Sequence, residues 1–127
     1  MQNAADHYLA DKVMTASPGE LIGMLYDGAA AAVRVMIRLQ ESEQWASAVA
    51  KSLKAQNILM ELRYSMDHDA GGRLAQDLDD IYIWTMSELV RATTQSSVLA
   101  AKDALRIIEQ LSAAWHEGCL GITPVPA

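Results

Sequence analysis

The chain contains no phenylalanine, one cysteine (Cys119) and three prolines, two of which, Pro124 and Pro126, fall in the last few residues. A single cysteine excludes an internal disulfide, and a lone thiol suits a reducing compartment. With proline nearly confined to the tail, residues 19–123 carry no obligatory helix breaker. Basic residues are also scarce: ten Lys and Arg stand against sixteen Asp and Glu, for a net charge of -6 and a sequence pI near 4.9. Such a surface repels phosphate backbones and anionic headgroups, which argues against nucleic acid as a partner. Charges interrupt every apolar run well short of the roughly 20 residues a bilayer core requires, so no membrane insertion is expected. Residues 1–10 lack the basic start and apolar run of a secretion signal, and the expected location is the cytoplasm.

What is present is apolar content. Half of the 127 residues (51%) are hydrophobic, enough for one domain with a packed core. The expectation is a single domain over residues 1–127, with an N-terminal arm (1–16) and a C-terminal tail (118–127). Ser17-Pro18-Gly19-Glu20 is a helix start: a serine cap, proline at the first helical position and glutamate at the third. A first helix is predicted over residues 17–40. The polar Glu41-Ser42-Glu43 separates it from a second over 44–66, and the turn-forming stretch 67–72 separates that from a third over 73–93. After Thr94-Gln95-Ser96-Ser97 a fourth helix runs to about residue 117, where Gly118 is a natural stop. Short connections between helices of this length imply antiparallel neighbours: an all-α, up-and-down four-helix bundle.

Placed on wheels at about 100° per residue, the helices carry more apolar rows than one core can bury. The fourth is simply two-sided. In the second, Ala48, Ala55, Leu59, Leu62 and Met66 complete a core row, yet Val49, Leu53, Met60 and Tyr64 form another beside it. The third has Leu74, Leu78, Ile81 and Leu89 in one row and Tyr82, Met86 and Val90 in the next, flanked by Ile83 and Trp84. The first adds Ile22, Tyr26, Val33 and Ile37 to a row of Leu21, Leu25, Ala32 and Met36. Contiguous apolar surface left in water marks an interaction site. An amphipathic helix laid in a groove covers such rows well, and seven methionines would give the groove adaptable walls. The same rows also suit a homo-oligomeric structural bundle whose copies bury each other. Tyr26, Tyr64 and Tyr82 fit a groove edge as well as a core boundary. Asn57 fits a bond between helices as well as one to a partner's backbone, and Trp115 reads as a core anchor.

Three ordered stretches resemble the flagellin export chaperones of the FliS type. These are Thr15-Ala16-Ser17-Pro18 with Leu21-Ile22 and Met24-Leu25-Tyr26-Asp27-Gly28-Ala29; Lys54-Ala55-Gln56-Asn57-Ile58-Leu59 through Leu62 and Met66-Asp67 to Gly71-Gly72, Leu74-Ala75 and Leu78; and Ile81-Tyr82 with Ala113-Ala114-Trp115. The resemblance implies a chaperone, not an enzyme, that binds the disordered C-terminal segment of flagellin as a helix, delays its polymerisation and presents it to the flagellar export gate for type III secretion. It implies no cofactor, and a monomer or weak dimer. The partner-binding set it suggests, together with the surplus rows, is Tyr8 and Leu9 of the arm, Ile22, Tyr26, Val49, Leu53, Asn57, Met60, Tyr64, Tyr82 and Met86. The chain departs from the family pattern at Ile83 and Trp84, where a polar residue and a tyrosine are usual, and at Asp77, where asparagine is common.

Other chemistries find little support. Di-iron bundles need paired Glu-x-x-His motifs, and Ser65 and Ala113 precede His68 and His116 at that spacing. Asp67, His68 and Asp69 read as a solvated turn, and Asp77, Asp79 and Asp80 as surface charge. Gly71-Gly72 lacks the lysine and hydroxyl of a phosphate loop. Cys119 has no histidine nearby in sequence to make a thiolate.

Overall fold

The computed structural model describes residues 16–118, apart from the side chain of residue 68. Four helices follow one another: α1 (Pro18–Glu41), α2 (Trp45–Ser65), α3 (His68–Thr94) and α4 (Val98–His116). Their starts are fixed by side chains that take up orphan backbone donors. Ser17 Oγ accepts from the Glu20 N–H at 3.2 Å, Asp67 Oδ1 from that of Ala70 at 3.0 Å, and Ser97 Oγ from that of Ala100 at 3.1 Å. α2 has no side-chain cap. Gly118 ends the last helix with φ at 74°, its N–H bonded to the Trp115 carbonyl at 3.0 Å.

The predicted turn at 67–72 is tighter than expected. Asp67 caps one helical turn, and Gly72, at φ 56° and ψ -132°, then kinks the chain into the long run of α3. Only glycine adopts that backbone without strain.

The helices form the expected all-α four-helix bundle, each packed against its neighbours in sequence and α4 closing the ring onto α1. Alanines line much of the interior, among them Ala29, Ala48, Ala55, Ala75, Ala92, Ala100 and Ala104. Small side chains draw the helices close, and the space left admits few large ones, chiefly Tyr26, Met36, Leu59, Leu62, Tyr82, Leu89 and Ile108. Polar groups in this interior mostly find partners, as burial demands. Gln40 Nε2 donates to the Ala92 carbonyl at 3.2 Å, Ser52 Oγ to that of Leu89 at 3.2 Å and Thr85 Oγ1 to that of Ile81 at 2.7 Å. Gln40 Oε1 alone is buried without a partner among the described atoms.

The wheels are corrected on which members of two adjacent rows turn inward. In α1, Ile22, Tyr26, Val33 and Ile37 are core residues together with Ala32 and Met36 of the other row, whereas Leu21 and Leu25 are only half-buried. In α3, Tyr82 joins Leu78 and Leu89 in the core, and Leu74, expected inside, is exposed. A hydrogen bond between the Tyr26 and Tyr82 hydroxyls, reaching from α1 to α3, accounts for part of this choice. It gives two polar tips a partner deep in the bundle. Trp115 packs its ring on Tyr26 with centroids 6.2 Å apart and donates its indole N–H to the Gly19 carbonyl at 3.1 Å, so it joins α4 to the start of α1.

Candidate functional site on helices α2 and α3

α2 is apolar on two sides for separable reasons. Ala48, Ala55, Leu59 and Leu62 are buried in the core. Val49, Leu53, Met60 and Tyr64 follow one another at spacings of four, seven and four residues, which holds them within an arc of about 60°. That row points away from the core: Val49 is 39%, Leu53 54% and Tyr64 76% exposed, and Met60 is half-buried.

α3 supplies the companion row. Ile83, Met86 and Val90 share a face by spacings of three and four, with Ile83 and Val90 each 45% exposed and Met86 half-buried against the core. Two cross-helix bonds set the antiparallel register: Ser52 to the carbonyl of Leu89, and Arg63 to Asp79 through two guanidinium bonds of 2.7 and 3.2 Å. In that register Met60 lies level with Tyr82 and Ile83, and Leu53 with Leu89 and Val90. The two rows therefore run level with each other along the outside of the α2–α3 pair.

Charges around the face are closed on themselves. Arg63 also donates to the Met60 sulfur at 3.6 Å, which fixes that flexible side chain. Asp79, read from the sequence as surface charge, is instead largely buried in its ion pair with Arg63. Glu88 pairs with Arg91 at 2.7 Å. The apolar rows are thus bordered by neutralised pairs.

Of the residues expected at a binding site, Val49, Leu53, Asn57 and Tyr64 are exposed along α2, and Met60 and Met86 are half-buried beside them. Ile22, Tyr26 and Tyr82 lie in the core, beneath the surface rather than on it. Burial raises the pKa of both tyrosines, opposed at Tyr26 by the bond from Tyr82 and reinforced at Tyr82 by the nearness of Tyr26. Both phenols stay protonated and act as structural hydrogen-bonding groups. Tyr8 and Leu9 lie outside the described residues.

Sequence reasoning missed a groove between α3 and α4, enclosing about 480 Å³ and lined by Ile81, Trp84, Ile107 and Leu111 with Asp80, Arg106 and Gln110. The signal was Trp84, 42% exposed in a helix with its core row already complete, but only the packing shows which α4 residues stand opposite. Among the described residues no group of three or more His, Cys, Asp or Glu is placed to hold a metal ion. No described helix is long and apolar enough to cross a membrane.

Comparison with known proteins is consistent across the chain. The family model described as flagellar protein FliS matches residues 1–120. The flagellar secretion chaperone FliS of Salmonella typhimurium (strain LT2) is 33% identical over 107 residues, covering 83% of this chain and 78% of the relative. Its counterpart in Escherichia coli (strain K12) is 33% identical over 110 residues, with 85% and 80% covered. That of Bacillus subtilis (strain 168) is 26% identical over 117 residues, with 92% and 86% covered.

Proposed function

The chain belongs to the flagellar protein FliS family, and from that premise we propose that it is a cytoplasmic export chaperone for flagellin. In this reading the disordered C-terminal segment of flagellin becomes helical on the α2–α3 face, is kept from polymerising, and is handed to the flagellar export gate for type III secretion. The observation that carries the reading is the exposed row Val49, Leu53, Met60 and Tyr64 alongside Ile83, Met86 and Val90.

The energetics favour a helical occupant. Ordering a disordered segment costs roughly 1–2 kcal/mol per residue. Each large apolar side chain that is fully buried returns about 1.5–3 kcal/mol. A segment that inserts one apolar residue per helical turn along both rows gains on two surfaces at once, its own and the chaperone's, and satisfies its backbone internally. No catalytic chemistry is part of this function.

The test is to titrate the protein with a synthetic peptide of the C-terminal segment of flagellin from the same cell and follow helicity by circular dichroism. Helix content should rise above the sum of the components with micromolar or tighter affinity. Absence of binding at micromolar concentrations refutes the reading. A tight dimer by light scattering that ignores the peptide favours a homo-oligomeric bundle instead.

A further inference from the structure

On the opposite side of α2 from the candidate flagellin face, α1 and α2 border a second apolar groove. It encloses about 430 Å³, and its lining includes Met24, Ala31 and Val35 of α1 with Lys51 and Lys54 of α2. Met24, Ala31 and Val35 follow at spacings of seven and four, so they form one straight row about three helical turns long. A Cβ placed on Gly28 would meet Ile58 at 3.5 Å, which sets Gly28 level with Ile58, Ala31 near Lys54 and Val35 near Lys51.

The charges here differ from those everywhere else on the bundle. Every other described lysine and arginine side chain has a carboxylate within salt-bridge distance, but Lys51 and Lys54 have none, and neither has Arg38, one turn beyond Val35 on the outer side of α1. In a chain of net charge -6, two of the three described cations without a carboxylate partner, Lys51 and Lys54, thus line one apolar groove, and the third, Arg38, follows its α1 row by three residues. Lys51 is half-buried, so a counter-ion brought to it acts where solvent screening is reduced. Asp27, the one carboxylate at the rim, is held toward α4 by Ser112 Oγ at 2.9 Å and His116 Nε2 at 3.1 Å.

We propose that the α1–α2 groove docks an acidic amphipathic helix of a partner protein, with its apolar row on Met24, Ala31 and Val35 and flanking carboxylates on Lys54, Lys51 and Arg38. Charge complementarity selects this occupant. The apolar floor favours a side-chain row over a bare polyanion, and the free cations favour carboxylates over the uncharged flanks that suffice on α2–α3. The surface is independent of the flagellin reading and serves a second partner.

The experiment selects phage-displayed 18-residue helices on the full chain at physiological salt. The library fixes an apolar row and varies the flanking positions among Glu, Lys, Gln and Ser. Selected peptides should be enriched in Glu at the flanks. They should bind Lys51→Glu/Lys54→Glu at least tenfold more weakly, and Leu53→Glu as tightly as the parent. Should the charge reversal disturb the fold by circular dichroism, Lys51→Gln/Lys54→Gln is expected to lose affinity several-fold. Failure to enrich, enrichment in Lys, or a loss at Leu53→Glu in place of the lysine variants overturns the proposal. So does equal displacement by inorganic polyphosphate, or a dimer of the protein that the lysine variants abolish.

Discussion

Changing Leu53 to glutamate should separate folding from binding, because the side chain is about half exposed (54%) on the outer face of α2. A fully buried leucine gains about 1.5–3 kcal/mol, so roughly 1 kcal/mol is left for a partner to recover at this position. Glutamate removes that gain and adds a carboxylate that must be desolvated beneath the partner helix, at a cost of at least the roughly 1–3 kcal/mol that protein mutational data give for an uncharged polar group. The sum, at least about 2–4 kcal/mol, corresponds to a loss of at least about 30-fold in affinity. In the free protein the change should fall within about 0.5 kcal/mol, as for other surface substitutions. Chemical denaturation measures the second quantity, and anisotropy of a labelled flagellin C-terminal peptide the first. Leu62→Ala supplies the contrast: Leu62 is 1% exposed, so it should cost about 2–5 kcal/mol of stability. If Leu53→Glu unfolds the protein, or binds the peptide like the parent, the assignment of an open docking face is refuted.

The Tyr26–Tyr82 pair should behave as a coupled unit. Either single Phe variant strands the other hydroxyl in the core at a cost of about 1–3 kcal/mol, whereas the double variant should cost less than the sum, leaving about 1 kcal/mol or more of coupling in a denaturation cycle. The pair also sets an alkaline limit. Both pKa values are raised in the fold, while the unfolded chain ionises tyrosine near pH 10. The unfolded state therefore loses protons first, so this contribution to stability is intact below about pH 10 and falls as pH rises above it, less steeply in Tyr26→Phe/Tyr82→Phe. At the kink near the start of α3, Gly72→Ala should cost roughly 1–3 kcal/mol, although among the described residues nothing beyond the adjoining chain lies within 4 Å of the added methyl group, because the penalty is purely conformational. Gly71→Ala, at a residue without positive φ, should be neutral or better by the same assay.

The sequence by itself determined the four helices and most of their ends. Serine and glycine at the termini act on backbone groups within four residues, so Ser17 and Gly118 could be read without knowing what lay across the bundle; the third helix was expected to begin at residue 73, whereas Asp67 caps it at His68. It also determined that α2 carries a second row, because Ala48, Ala55, Leu59 and Leu62 already complete a core side.

Tertiary structure decided which members of two adjacent rows turn inward. In α1 and α3 the competing rows are equally apolar and lie within about one residue's rotation, so periodicity leaves them degenerate. Contacts between residues distant in sequence break the tie: the Tyr26 and Tyr82 hydroxyls find each other, and Gln40 reaches the Ala92 carbonyl. The same long-range packing sank Asp79 into its pair with Arg63, set Trp84 opposite Ile107 and left Lys51 and Lys54 without carboxylates beside the α1–α2 groove.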